Sequence, residues 1–364
     1  MTAMNDESVR EGVIELLKEL SEAFGVSGFE EEVRERIRTY VAPFVDEIHG
    51  DPLGNLHAVL NPGTPFTVML DAHMDEVGFV VKAIEEGGFL RLAPMGGWDV
   101  RIVPGQDVTV RGMDGRYHLG VIGSVPPHVQ EAQEKSKVLA WEDLFVDVGA
   151  RSAVNVRDMG IRVGSPALLP QPFRLLNDKT VLGKALDDRV GCALLIRMLE
   201  ALSKDRPDIR VVATFSSSEE VGCRGARVAG QRWEPQMALV LEGTMATDTP
   251  GIKPEQRVSA LDKGPVVTAV DKSLIVPERL VDWILRTAER LTIPCQIKTP
   301  LVGSTDGGAI HLTNRGVLTA VIAVPCRYIH SPTCIMRLDD LLHTQRLVEA
   351  LVRDACKIHE EMQV

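Results

Sequence analysis

The chain has 364 residues, 51 of them acidic and 40 basic, for a formal net charge of -11. Hydrophobic residues make up 45% and aromatics only 4%, which is enough to fill a sizeable core but offers few rings for a sugar-stacking or base-stacking surface. An acidic balance with no basic run argues against nucleic acid or an anionic membrane as partner and favours cations, and at this length two domains are the default.

Residues 1–7 contain no apolar h-region, and no segment approaches the roughly 18 unbroken apolar residues of a membrane span. A cytoplasmic protein with no membrane partner is therefore expected. The six cysteines are scattered without a C-x-x-C spacing, so neither a disulfide framework nor a zinc knuckle is expected. Val9, Val13, Leu16, Leu17 and Leu20 recur at helical spacing and predict an amphipathic helix over 7–23. Ser27 to Glu30 reads as a capping box for a second helix ending near Val41. Thr67-Val68-Met69-Leu70 is a short apolar run typical of a buried strand, and it leads into Asp71-Ala72-His73-Met74-Asp75-Glu76. If the chain stays extended, His73 and Asp75 point the same way, as suits an imidazole ligand oriented by a carboxylate.

From about Gly78 to Phe173 the texture changes to short β-like pieces broken by glycines. Asp114-Gly115 between Val108–Arg111 and Tyr117–Ile122 is a hairpin signal. Strand and helix alternation resumes near Val181, so residues 78–173 read as a small all-β domain inserted into an α/β domain made of 1–77 and 174–364. His118 and His128 within it read as exposed or structural. After Asp187-Asp188, the residues Val190, Leu194, Leu195, Met198, Leu199 and Leu202 predict a helix, and taken alone the acidic pair reads as its N-cap. Three further apolar runs follow: Arg210–Phe215 leading to Glu219-Glu220, Met237–Leu241 ending at Glu242, and Val317–Val324 leading to His330. Each buried run delivers a carboxylate or an imidazole near its carboxyl end, where open α/β sheets place ligand sites.

If His73, Asp187, Glu219, Glu220, Glu242 and His330 share one cleft, four carboxylates without a cation would repel and take up protons, so multivalent metal is the natural neutraliser. Imidazoles mixed with carboxylates suit zinc, cobalt or manganese better than calcium. A carboxylate bridging two ions is a known hydrolytic arrangement, and it leaves one acid for proton transfer. Two other classes remain open. A glycoside hydrolase would also use two carboxylates but needs no histidines and would want more aromatics. A catalytically silent, metal-stabilised scaffold would have no use for an acid that binds no metal.

Several stretches together resemble the M42 family of metallo-aminopeptidases: His73-Met74-Asp75-Glu76-Val77-Gly78-Phe79, Gly120–Gly123 with Pro126-Pro127-His128, Lys184–Gly191, Glu219-Glu220-Val221-Gly222 and Arg327–Pro332. That family includes glutamyl and tetrahedral aminopeptidases, some formerly labelled glucanases, and the resemblance runs in order over essentially the whole chain. It implies a zinc-peptidase-like mixed sheet flanked by helices, with the inserted β domain mediating dimers that build a hollow dodecamer. It also implies two divalent ions per subunit, with Asp187 bridging them, His73 and Glu242 completing one ion, and Glu220 and His330 completing the other. Glu219 becomes the general base, and Asp75 the partner of His73. The Asp187-Asp188 bond resembles the family's cis peptide, with Asp188 fixing the turn. Many members have Asp where this chain has Glu242. The implied reaction is removal of N-terminal residues from short peptides, and the loop Pro300–Gly308 is expected near the site because its glycines allow close approach.

Overall fold

The computed structural model describes residues 2–131 and 137–362. The chain opens with α1 (Thr2–Glu22), α2 (Glu31–Val41), β1 (Glu47–Gly50), β2 (Leu56–Leu60) and β3 (Thr67–His73). The stretch to Leu168 carries β4 (Gly78–Ile84), β5 (Leu90–Met95), β6 (Asp107–Arg111), β7 (Tyr117–Ser124), β8 (Leu144–Asp147), α3 (Ala153–Asp158) and β9 (Pro166–Leu168). Next come β10 (Arg174–Asn177), β11 (Thr180–Gly183), α4 (Leu186–Lys204), β12 (Arg210–Ser216), α5 (Arg224–Trp233) and β13 (Met237–Met245). The chain ends with β14 (Val266–Val267), α6 (Glu278–Arg290), β15 (Gln296–Ile297), α7 (Asp306–Ile310), β16 (Leu318–Arg327), β17 (Cys334–Arg337), α8 (Leu338–Arg353) and α9 (Ala355–Met362).

Two layers of order follow from these pieces. One sheet runs β1-β2-β12-β3-β13-β16-β17-β11-β10, with β14 and β15 added beside β16. Its centre, β12-β3-β13-β16, is parallel. Every residue of β3 is buried, which is why it reads as an unbroken apolar run: helices cover both faces of a parallel centre. The second unit is a closed, wholly antiparallel barrel, β4-β5-β8-β7-β6-β9, with its own core of Phe79, Val81, Leu90, Val108, Val110, Ile122 and Val146. The chain thus leaves the main sheet after β3 and returns to it at β10. This is the mixed α/β fold with a small β unit that the resemblance implied. No helix among the described residues is long and apolar enough to cross a membrane.

The structure alters several local expectations. Helix α1 begins at Thr2, earlier than the apolar spacing showed. The expected capping box does not form: Glu30 stands at the N-cap of α2 without capping through its side chain, and Ser27 Oγ instead donates to Asp75 Oδ2 at 2.7 Å. Strand β13 continues through Glu242 to Met245, because β16 pairs alongside it as far as Cys326. Glu242 is therefore inside a strand rather than past its end. The hairpin over 108–122 forms as β6 and β7, with Arg111 opposite Tyr117.

Candidate metal centre

His73 is the last residue of β3 and pairs with Ser216 at the end of β12. On the other side Val240 pairs with Asp71, so Glu242, two residues further along β13, stands level with His73 on the same face. His73 Nδ1 bonds to the backbone carbonyl of Asp75 at 3.1 Å and lies 3.4 Å from its Oδ1. A proton on Nδ1 leaves the Nε2 lone pair facing the cleft. Side-chain orientation by Asp75 was expected, but its carbonyl makes the shorter contact, because the carboxylate is engaged elsewhere. Its Oδ1 accepts the N–H of Glu219 at 2.9 Å, and its Oδ2 accepts the N–H of Glu220 at 3.1 Å besides the Ser27 hydroxyl.

The Asp187-Asp188 peptide is cis, and neither residue has helical backbone angles, so the helical part of α4 starts beyond them. The N-cap reading holds for only one of the pair. Asp188 Oδ1 accepts the N–H of Gly191 at 3.0 Å, while its Oδ2 accepts the N–H of His73 at 3.2 Å. Asp187 makes no such bond and turns both oxygens to imidazoles. Its Oδ1 is 3.4 Å from His73 Nε2 and its Oδ2 is 3.6 Å from His330 Nε2. A buried network holds this corner: Arg189 Nε donates to Met74 O at 2.8 Å, and Lys184 Nζ bonds both Glu76 oxygens, at 2.7 and 2.9 Å.

Around Asp187 the six candidates converge in overlapping groups, one of which, His73, Glu219 and Glu220, includes the acid expected to hold no metal. His73 Nε2 is 3.7 Å from Glu242 Oε2 and 4.0 Å from Glu219 Oε2, and His330 Nε2 is 3.4 Å from Glu220 Oε1. Donor atoms of the sets His73, Asp187, Glu242 and Asp187, Glu220, His330 all lie within 4.8 Å of one another. Two donors about 2.0–2.2 Å from a tetrahedral ion are roughly 3.3–3.6 Å apart, so the shorter contacts match ligand spacing and exceed ordinary hydrogen bonds. His330 is also held from the barrel side. A Cβ at Gly97 would come within 2.9 Å of its Nδ1.

The charges describe a site that calls for cations. Burial, reinforced by Asp306, Glu220 and Asp75, pushes Glu219 up to about 8. Burial and Asp187 push Glu220 up to about 7, and burial with Asp188 raises Glu242 well above the carboxylate range. Burial works against a low value for Asp187, yet His330 and His73 hold it well below the usual range. The groups face a cavity of ≈ 350 Å³ that is also lined by Val302, Gly303, Ser304 and Thr305, which places the glycine-rich loop at the site. His118 and His128 are not among the lining residues.

The motifs assigned no role to several neighbours, one of them, Asp306, inside the loop expected near the site. Asp306 is fully buried and accepts from Ser216 Oγ at 2.7 Å, and Cys223 Sγ donates to Glu219 Oε1 at 3.4 Å. Lys298 and Thr268 line the cavity. None belongs to a short motif that holds the six convergent groups.

Comparison with known proteins agrees with this geometry. The family model described as M42 glutamyl aminopeptidase matches residues 54–347. The chain belongs to the M42 peptidase family. The lysyl aminopeptidase of Pyrococcus furiosus is 32% identical over 93% of this chain and 96% of its own length, and the glutamyl aminopeptidase of Lactococcus lactis subsp. cremoris is 30% identical over 92% and 94%. Among solved structures, a TET aminopeptidase from a marine sediment archaeon, Thaumarchaeota archaeon SCGC AB-539-E09, superposes with a TM-score of 0.94 at 34% identity, covering 97% of this chain and 99% of that one. The Pyrococcus horikoshii TET1 peptidase, described as assembling into a tetrahedron or a large octahedral shell, has a TM-score of 0.83 at 33% identity, with 93% and 98% covered. Like its M42 relatives, this chain is a peptide-bond hydrolase of the aminopeptidase type.

Proposed function

We propose that the chain is a dinuclear-metal aminopeptidase that removes N-terminal residues from short peptides. The observation that carries this reading is the position of Asp187, whose two oxygens face two different imidazoles in two separate donor groups. The donor chemistry fits two ions of the zinc, cobalt or manganese type. His73 and Glu242 would hold one, Glu220 and His330 the other, and Asp187 both. When bound, the ions would lower the pKa of water and polarise the scissile carbonyl.

The remaining chemistry belongs to the chain. Glu219, aimed by the Asp75 carboxylate through its backbone N–H, takes the proton of the attacking water and returns it to the departing amine. Asp75 orients His73, and Asp188 fixes the backbone on which Asp187 stands.

The barrel supports a second part of the reading, self-association. Leu119, Val121, Val125 and Val129 are exposed on it, and apolar side chains grouped on a surface are commonly covered by a partner. We infer that residues 78–173 act as an inserted dimerisation domain and that dimers assemble further, as a dodecamer; light scattering with and without metal tests this. Glucan hydrolysis is not favoured: the curated relatives named for a substrate are lysyl and glutamyl aminopeptidases, although a solved Thermotoga maritima structure 33% identical to this chain is named an endoglucanase. Assay of aminoacyl p-nitroanilides beside cellulose oligomers, with each candidate metal, decides the function. Turnover of the oligomers alone overturns it, and no turnover on either favours a silent scaffold.

A further inference from the structure

Two lysines are buried among the described residues, and they differ in one respect. Lys184, 4% exposed, bonds both oxygens of Glu76 and the carbonyl of Ala23 at 2.7–2.9 Å. Lys298, 5% exposed, has no side-chain hydrogen bond and no carboxylate within 4.0 Å among those residues. It lines the cavity that contains the candidate metal ligands, and its Nζ lies 3.6 Å from where a Gly303 side chain would begin. A buried ammonium with three donors and no acceptor is costly unless a ligand supplies the partner.

The surroundings of Lys298 point the same way. Its backbone N–H bonds Val267 O, and the Thr268 N–H bonds Val321 O, so the two side chains leave adjoining strand ends, β15 and β14, on the far side of β16 from Glu242. Thr268 and Thr305 line the same cavity, and their hydroxyls are buried and have no hydrogen-bond partner. One cation and two threonines with unused hydroxyls thus border the cavity that the candidate metal ligands share. The substrate's own α-amine is cationic and would be repelled there, whereas a carboxylate on the N-terminal side chain would supply the missing acceptor and the opposite charge.

Resting on the aminopeptidase reading, we propose that Lys298, with Thr268 and Thr305, forms the pocket for the side-chain carboxylate of an acidic N-terminal residue. The family does not decide this, because its named relatives include both a lysyl and a glutamyl enzyme. The discriminating pair is glutamate against glutamine, which share shape and differ in charge. Charge-assisted bonds to a buried carboxylate correspond to about 10- to 100-fold in kcat/KM.

The test compares Glu-, Gln-, Leu- and Lys-p-nitroanilide on the metal-loaded protein and on Lys298→Met and Lys298→Glu. These substrates lack a C-terminal carboxylate, so a lysine that reads the peptide's far end would show no preference among them. Expected are a Glu-over-Gln preference of about 10- to 100-fold, its collapse toward unity in Lys298→Met, and a shift toward the lysyl substrate in Lys298→Glu. Equal use of Glu and Gln by the unmodified protein, or an unchanged ratio in Lys298→Met, overturns the proposal while leaving aminopeptidase activity standing. Calorimetric binding of free L-glutamate against L-glutamine reads the pocket without turnover. If no aminoacyl substrate is cleaved yet glutamate alone binds and Lys298→Met abolishes it, the pocket stands and the aminopeptidase reading falls; binding of neither overturns the pocket.

Discussion

The carboxylate of Asp75 accepts the backbone N–H of Glu219 at 2.9 Å. The same residue binds the imidazole of His73 through its carbonyl at 3.1 Å, so one buried side chain and its own backbone tie a metal-ligand candidate to the proposed proton carrier. Replacing Asp75 by Asn keeps one acceptor and puts an amide donor against a backbone donor. Turnover is expected to fall by about 10- to 100-fold, and because Glu219 loses its alignment the loss should appear in kcat more than in KM. Steady-state kinetics on an aminoacyl anilide check this, and unchanged kcat would remove Asp75 from the site's support.

Asp187→Ala removes the one group shared by both donor sets. Bound metal should drop from about two ions per chain toward none after dialysis, with activity lost in parallel. Elemental analysis reads the stoichiometry. Retention of both ions would contradict a bridging role.

Gly97 belongs to the turn that follows β5 and approaches His330 closely. A Cβ there would sit 2.9 Å from Nδ1, and the branched side chain of Val would push the ring from its place. In Gly97→Val the ion held by Glu220 and His330 should bind at least about 10-fold more weakly, while the ion on His73 and Glu242 is kept. Metal titration followed by calorimetry should then show one strong site in place of two.

Much of this arrangement was legible in the residues. The parallel centre, β3, β12, β13 and β16, announces itself because strands buried on both faces need unbroken apolar runs, and the polar groups at their ends stand out against them. What was hidden depends on distant partners. Ser27 was expected to cap α2, but the carboxylate of Asp75 claims its hydroxyl. Glu242 looked like a strand end because it is the first charged residue of its run, whereas β16 carries the ladder past it. Gly97 and Lys298 carry no local signal. One reaches the site through the barrel, the other through the pairing of β14 with β15, and neither contact exists until those units dock.

Chelation gives a pH signature. Burial and neighbouring acids raise Glu219 to about 8 and Glu220 to about 7 in the metal-free chain, so each binds its proton better folded than unfolded. That contribution is complete below the unfolded carboxylate value and is lost as pH rises through the folded one. Burial pulls His330 down, but Asp187 and Glu220 lift it further, to about 9, and a raised histidine likewise loses its contribution as pH rises. The chelated protein should therefore melt at falling temperature between about pH 5 and 9. With excess zinc the ions take the place of those protons, and the slope should flatten. Calorimetric melts across that window, with and without chelator, provide the check.

The most direct test of the central claim is Glu219→Gln, assayed for bound metal and for kcat on the same preparation. If Glu219 moves the proton and the other five side chains hold the ions, the variant keeps about two ions per chain and loses roughly 10²- to 10⁴-fold in kcat. Full activity with both ions bound would contradict the assignment.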